Sequence, residues 1–392
     1  MSILSQTTNF YDLYRHVSGD SEVPAIFHFW ACTALLAAVV QDRVWIEKER
    51  GVKLYPNLYI ILVGPSGLGK GMAISQANRL ADSSVRMAKY RGKVTFAHLI
   101  DRMGRSVLGD DGITRMADPR LWLIMDELKN DIGSGTLVED FIGMMTEIYT
   151  ASNYTLNTGT RTHGNVDLIR PVLNWFAGTT EPWLYKVMTP DMVESGFPAR
   201  ICFIYGHYTG ELKPRIRYPN DVDFIWDHLV ARLYNIACQQ GKCLMTQTAE
   251  AAIDKWYVSR PIPDDDSLKP IWRREHDMLL KFALINTLAD GGPLVIRHMH
   301  VARAIAMINT LRKHGERILF AASATKETRE IDVVGAWIRK KGQIQHSDLT
   351  RAMYKKGLNA WRVKLSLQDL KQSDLIEIGT TKTGGGVYLW KG

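Results

Sequence analysis

The stretch Tyr59-Ile-Ile-Leu-Val-Gly-Pro-Ser-Gly-Leu-Gly-Lys-Gly71 limits the possible folds of this chain more than any other. Ile60, Ile61, Leu62 and Val63 form the short apolar run of a central parallel strand, buried on both faces. Gly64, Gly67 and Gly69 allow a tight bend in which several backbone N–H groups converge on one anion. Lys70 brings a positive charge to the β- and γ-phosphates of a nucleotide, and a helix starting there aims its N-terminus at them. Gly64, Pro65, Ser66, Gly67, Leu68, Gly69 and Lys70 thus spell G-x-x-x-x-G-K in a strand–loop–helix context, with Gly71 and Met72 following. A bare glycine turn is the plain alternative, but the flanking strand and the lysine argue against it. One position departs from the pattern. The residue after Lys70 should carry a hydroxyl to hold Mg²⁺, and it is Gly71, which weakens metal ligation.

A second signature is Leu121-Trp-Leu-Ile-Met-Asp-Glu127. A buried strand parallel to the first would deliver both carboxylates beside the γ-phosphate. Asp126 is then the Mg²⁺ ligand, directly or through water, and Glu127 polarises the attacking water. Acids often end a strand simply because it meets solvent. It is the position 56 residues after Lys70 that gives this pair functional weight.

Farther on, Tyr154-Thr-Leu-Asn-Thr and Val166-Asp-Leu-Ile-Arg alternate as two strands around Gly159-Thr-Arg-Thr-His-Gly164. This hairpin presents Arg161 and His163 at its tip, either as solvated charges or as a finger on a phosphate backbone. Pro171–Ala177 is an apolar strand expected between the two signature strands, and it ends in Gly178-Thr179-Thr180. Arg200 closes a turn just before the strand Ile201–Tyr205. It either serves its own fold or reaches a neighbouring subunit's γ-phosphate, and the second is favoured because transferring a phosphoryl group needs such a cation.

Residues 72–105 and 211–320 read as helices, the latter including Glu275–Asp290, opened by Arg273-Arg274, and His298–Arg312. Residues 326–392 read as a separate domain of three helices and a glycine-tipped hairpin, the pattern of a winged helix, with Ser347 as the N-cap of its second helix. This segment has 13 Lys and Arg against 7 Asp and Glu, a net +6 of the chain's +8. Its third helix is expected in the major groove of DNA with Arg362 and Lys364 forward and Lys382 on the wing. A protein partner is the alternative.

With 392 residues, two or three domains are expected, and the sequence pI of 9.2 favours a polyanionic partner. Cys32, Cys202, Cys238 and Cys243 form no metal pattern and read as reduced cysteines of an intracellular, cytoplasmic protein. No signal peptide is visible at the start. The apolar stretch Pro24–Val40 approaches the length of a membrane span. It begins at proline, contains His28 and Thr33 and is rich in Ala, so it reads as a helix buried on most sides, with no membrane partner.

The order of these features resembles the AAA+ ATPases, and within them the group with a hairpin before the sensor 1 strand. That group includes the minichromosome-maintenance helicases and the superfamily 3 helicases of viruses. The chain is also similar to phage and plasmid P-loop proteins that open with a Pro-bounded apolar helix. The resemblance spans roughly residues 20–320. It implies an α/β fold divided into an N-terminal helical segment (1–50), a P-loop AAA+ core with a parallel sheet (51–210), a helical lid (211–325) and a C-terminal winged helix (326–392). It further implies Thr179 or Thr180 as sensor 1, Arg200 as arginine finger and Arg273 or Arg274 as sensor 2. The resemblance implies an ATP- and Mg²⁺-dependent oligomer, a hexamer by family precedent, that acts on single-stranded or duplex DNA alongside other replication proteins. It would be a replicative helicase or helicase-like initiator of a phage or mobile element. The rival expectation is a nucleotide-switched helicase loader or transposition regulator.

Overall fold

The computed structural model describes residues 9–104, 106–108, 115–117, 119–132, 136–160, 164–188, 196–263, 268–323, 326–380 and 386–391. Contacts gather the chain into two units, Met1–Ile318 and Leu319–Gly392.

The first unit is built on five parallel strands: β1 (Tyr59–Val63), β2 (Lys89–Arg91), β3 (Arg120–Met125), β4 (Val172–Thr179) and β5 (Ile201–Tyr205). Their order across the sheet is β5-β1-β4-β3-β2. The strand expected between the two signature strands is there: Thr179 pairs with Val63, and Ala177 with Met125. Every residue of β1, β4 and β5 is buried, which is why these strands read as continuous apolar runs. Strand β2 corrects the helical reading of residues 72–105. It is only Lys-Tyr-Arg, half-exposed at the sheet edge, so it carries neither an apolar run nor a useful alternation.

Ala25–Val40 forms the expected buried helix. Trp30 packs edge-on against Phe282, with ring centroids 5.4 Å apart. The same core takes in Leu13 and Val17 of the helix Phe10–Ser18, Ile60 and Leu62 of β1, and residues of the helices Val222–Cys238 and Lys269–Asp290. A helix apolar all round has to be covered on every side. Elements from before and after the sheet do this together, so the contacts do not separate the 1–50, 51–210 and 211–325 segments. No described helix is long and apolar enough to cross a membrane. Val44–Glu49 forms a strand that pairs with Val52–Leu54 and Gly241–Lys242, outside the main sheet.

The expected hairpin forms from Thr155–Thr160 and Gly164–Ile169, paired antiparallel from Thr155↔Ile169 to Thr160↔Gly164. Arg161 and His163 lie outside the described residues.

The second unit has helices Lys326–Lys341, His346–Tyr354 and Ala360–Gln372 and strands Ile376–Thr380 and Gly386–Trp390, close to expectation. A third strand, Gln343–Gln345, pairs with Gly386–Trp390 and is too short to be read from sequence. The second helix begins at His346 with Gln345 rather than Ser347 at its N-cap, two residues earlier than expected. Val334, Ile338, Val363, Leu367 and Leu370 form this unit's own core. Lys382 lies outside the described residues.

Candidate functional site

The loop between β1 and the helix Lys70–Ser84 is held from both sides. Gly64 N donates to Thr179 O at 3.2 Å, which ties the loop to the end of β4. Gly67 and Gly69 take left-handed conformations, φ 81° and 85°. At Gly69 a side chain is excluded twice over, since a Cβ would also lie 2.5 Å from Val23 Cγ2. Among the described residues, the amides of Ser66, Gly67, Gly69, Lys70 and Gly71 donate to no backbone acceptor. Unpaired N–H groups on a loop leading into a helix N-terminus make an anion seat.

Lys70 Nζ donates to Gly64 O and Pro65 O, both at 2.8 Å. An ammonium has three protons, so one remains for a phosphate oxygen. Burial lowers the Lys70 pKa, and the nearby Glu127 charge opposes this. Burial also raises the Glu127 pKa, with Lys70 opposing. The two are therefore electrostatic neighbours, as the sequence pattern required. Their convergence depends on Gly178, whose missing side chain would stand 2.7 Å from Asp126 O and 3.5 Å from Lys70 Cβ. Thr179 is fully buried and its hydroxyl has no partner among the described residues, whereas Thr180 is half-buried at the start of the helix Glu181–Val187.

The sequence reading missed what holds Asp126. Arg91, at the end of β2, donates from Nε to Asp126 Oδ2 and from Nη2 to Asp126 Oδ1, each at 2.8 Å. The same Nη2 reaches Ser75 Oγ at 2.9 Å. This hydrogen bonding raises the Arg91 pKa. Asp126 was expected to be free to ligate Mg²⁺, yet both of its oxygens are engaged in a bidentate charge-assisted pair. With Gly71 offering no hydroxyl, the donor set does not fit a protein-held magnesium ion. No set of three His, Cys, Asp or Glu ligands gathers elsewhere among the described residues. Tyr208 was also missed: its hydroxyl donates to Ser66 O at 3.0 Å over the outer face of the loop.

Arg200 lies elsewhere. Ile201 pairs with Tyr59, so Arg200 sits at the N-terminal end of the sheet while the loop sits at the C-terminal end. Five residues of strand separate these levels, about 16 Å. Arg200 is 8% exposed and donates from Nη1 to Gly196 O at 2.7 Å. Burial lowers its pKa, and Arg274 lowers it further. Arg274 lines a small pocket with Pro198, Ala199 and Ile201, and Arg273 is exposed on the same helix, a turn inside it rather than at its start. The structure therefore brings Lys70, Asp126, Glu127, Thr179 and Thr180 together at one end of the sheet, and Arg200 with Arg274 at the other.

In the second unit, Arg362 Nη1 donates to Glu330 Oε1 at 2.6 Å, while Lys364 is exposed. Comparison with protein-family models and with curated protein sequences returned no match.

Proposed function

We propose that the chain is a nucleoside-triphosphate-driven protein that acts on DNA as an oligomer, with ATP as the nucleotide. The carrying observation is the loop of unpaired amides with Lys70 and the Asp126-Glu127 pair gathered at one end of a parallel sheet. Amides and Lys70 hold the β- and γ-phosphates. Glu127 accepts a proton from a water whose oxygen bonds to the γ-phosphorus, and the bond from that phosphorus to the β–γ bridging oxygen breaks, releasing ADP. A raised pKa suits Glu127 to this exchange. Arg200 serves a neighbouring copy in a head-to-tail ring, for which a hexamer is the family precedent; its distance from its own loop supports this reading, and the role requires it to turn away from Gly196 O. The cationic second unit, read as a winged helix, holds DNA, and the hairpin at 155–169 contacts it in the ring. This makes the chain a helicase or helicase-like initiator.

A second reading, a helicase loader or transposition regulator that binds DNA and ATP without unwinding, is favoured by the engagement of Asp126, which suits slow turnover. Native mass, ATP turnover with and without single-stranded DNA, and strand displacement decide between them. Displacement that needs ATP and disappears in Lys70→Ala supports the motor. DNA-stimulated turnover without displacement selects the loader. Failure to bind ATP overturns both.

A further inference from the structure

Gly71 is not forced by space. A Cβ there would meet nothing within 4 Å, so a serine would fit. What fills the corresponding place in the network is Arg91. Ser75 lies on the same helix as Gly71, four residues on and therefore on the same face. From Ser75 Oγ to Arg91 Nη2 is 2.9 Å, and from the Arg91 fork to the two Asp126 oxygens is 2.8 Å each. The chain hydroxyl–cation–carboxylate, from loop helix to acidic strand, is thus complete with a guanidinium as its cation. In a metal-holding phosphate loop, the same chain runs hydroxyl–Mg²⁺–carboxylate. Among the described residues three of the five guanidinium protons are used, which leaves the two on Nη1 for a phosphate oxygen.

Resting on the nucleotide reading above, we propose that this site binds its nucleoside triphosphate without a protein-held divalent ion, Arg91 taking the ion's bridging place. An ion bound at Asp126 would first have to displace a bidentate charge-assisted pair, and no hydroxyl at position 71 would reward it. Arg91 also fixes the carboxylate that neighbours Glu127, so it is a positioning residue for the acid pair as well as a phosphate donor.

The test is binding of a fluorescent ATP analogue to the full chain in magnesium and in EDTA, with Mn²⁺ binding read separately by electron paramagnetic resonance without nucleotide. For the native chain, affinity changes by less than about threefold between magnesium and EDTA, and no protein-bound Mn²⁺ is seen. In Gly71→Ser/Arg91→Ala, affinity in EDTA falls about tenfold or more, magnesium restores most of it, and Mn²⁺ binds. Arg91→Lys, which keeps the charge but not the fork, falls in between and serves if the double variant does not fold. A native affinity that drops thirtyfold or more in EDTA, or Mn²⁺ bound by the native chain, overturns the inference while leaving nucleotide binding intact. No binding in either buffer removes the nucleotide reading itself, and the inference with it.

Discussion

The two ends of the parallel sheet are both rich in cations, and they treat them in opposite ways. At the C-terminal end, among the described residues, loop amides lack acceptors, Lys70 keeps a spare proton and the Thr179 hydroxyl is unpartnered. At the N-terminal end, Arg200 is buried against Gly196 O, and Lys281 is 3% exposed with its ammonium on Asn57 O, Asn57 Oδ1 and Tyr149 Oη at 2.8–3.0 Å. Lys281 also lies over the Tyr149 ring, 4.1 Å from its centre. Cation count does not distinguish the ends. Satisfaction separates them in part: among the described residues, loop amides and the Thr179 hydroxyl stand unpaired at the end that can receive an anion, whereas at the other end Lys281 is fully paired and Arg200 keeps one buried donor, Nε, without a partner.

The largest effect tests whether the N-terminal end serves another subunit. Arg200→Ala is expected to reduce ATP turnover by about 10³-fold with ATP affinity retained, whereas Lys70→Ala abolishes binding. Mixing the two inactive variants should recover turnover in about a quarter of sites, because some interfaces combine an intact Lys70 with an intact Arg200. If the mixture stays inactive while Arg200→Ala unfolds at lower temperature than the native chain, Arg200 belongs to its own fold and the contrast between the ends is one of function against structure.

How far this was legible in sequence follows the same division. The loop, the Asp-Glu strand and the strand between them announce themselves because fully buried parallel strands are apolar runs, and their ends carry unusual residues. Arg91 does not announce itself. It sits on a three-residue edge strand whose Lys-Tyr-Arg has no period, and its partner lies 35 positions away. Gly178 left a faint signal, a glycine inside a buried strand, which marks a close backbone approach. The shared core of the N-terminal helices and those after residue 221 was hidden because one-dimensional pattern reading sees which helix face is apolar but not which distant helix covers it. Arg362 read as a forward DNA contact, since spacing alone does not disclose Glu330 across the small core.

Next in size is Gly178→Val. The added atoms meet Asp126 O and the Lys70 side chain in a layer with no slack, so a stability loss of about 1–3 kcal/mol is expected together with loss of ATP binding. Gly71→Ala, at the same end but in open space, should change stability only slightly. Equal losses for the two by urea unfolding would mean that the phosphate end is not packed as described.

A smaller effect probes the opposite end through pH. Burial lowers the Lys281 pKa from 10.5 to about 7, against three acceptors that favour the ammonium. Between those values the unfolded chain binds more protons than the folded one, so stability rises with pH, by up to about 1 kcal/mol per unit. Urea unfolding at pH 7, 8 and 9 should show this rise, and Lys281→Met should flatten it. A flat native profile would mean that Asn57 and Tyr149 keep the ammonium charged and that the N-terminal end holds one more cation than its burial suggests.

The contrast between engaged and free cations also divides the small unit, where the smallest effect is expected. Arg362 is held by Glu330, while Lys364, two residues on along the same helix, is exposed and has no ion-pair partner among the described residues. If DNA lies against this helix, Lys364→Ala should weaken binding a few-fold, alike across sequences, and reduce the slope of log affinity against log salt by about 1. Arg362→Ala should leave that slope nearly unchanged and instead lower the melting temperature, because Glu330 loses its partner in a half-buried setting. Fluorescence anisotropy with duplex DNA over a range of salt, paired with thermal melts, separates the two. A salt slope that falls with Arg362 rather than Lys364 would show that the Glu330 pair opens when DNA binds, and an engaged cation would then be no guide to which residues meet the ligand.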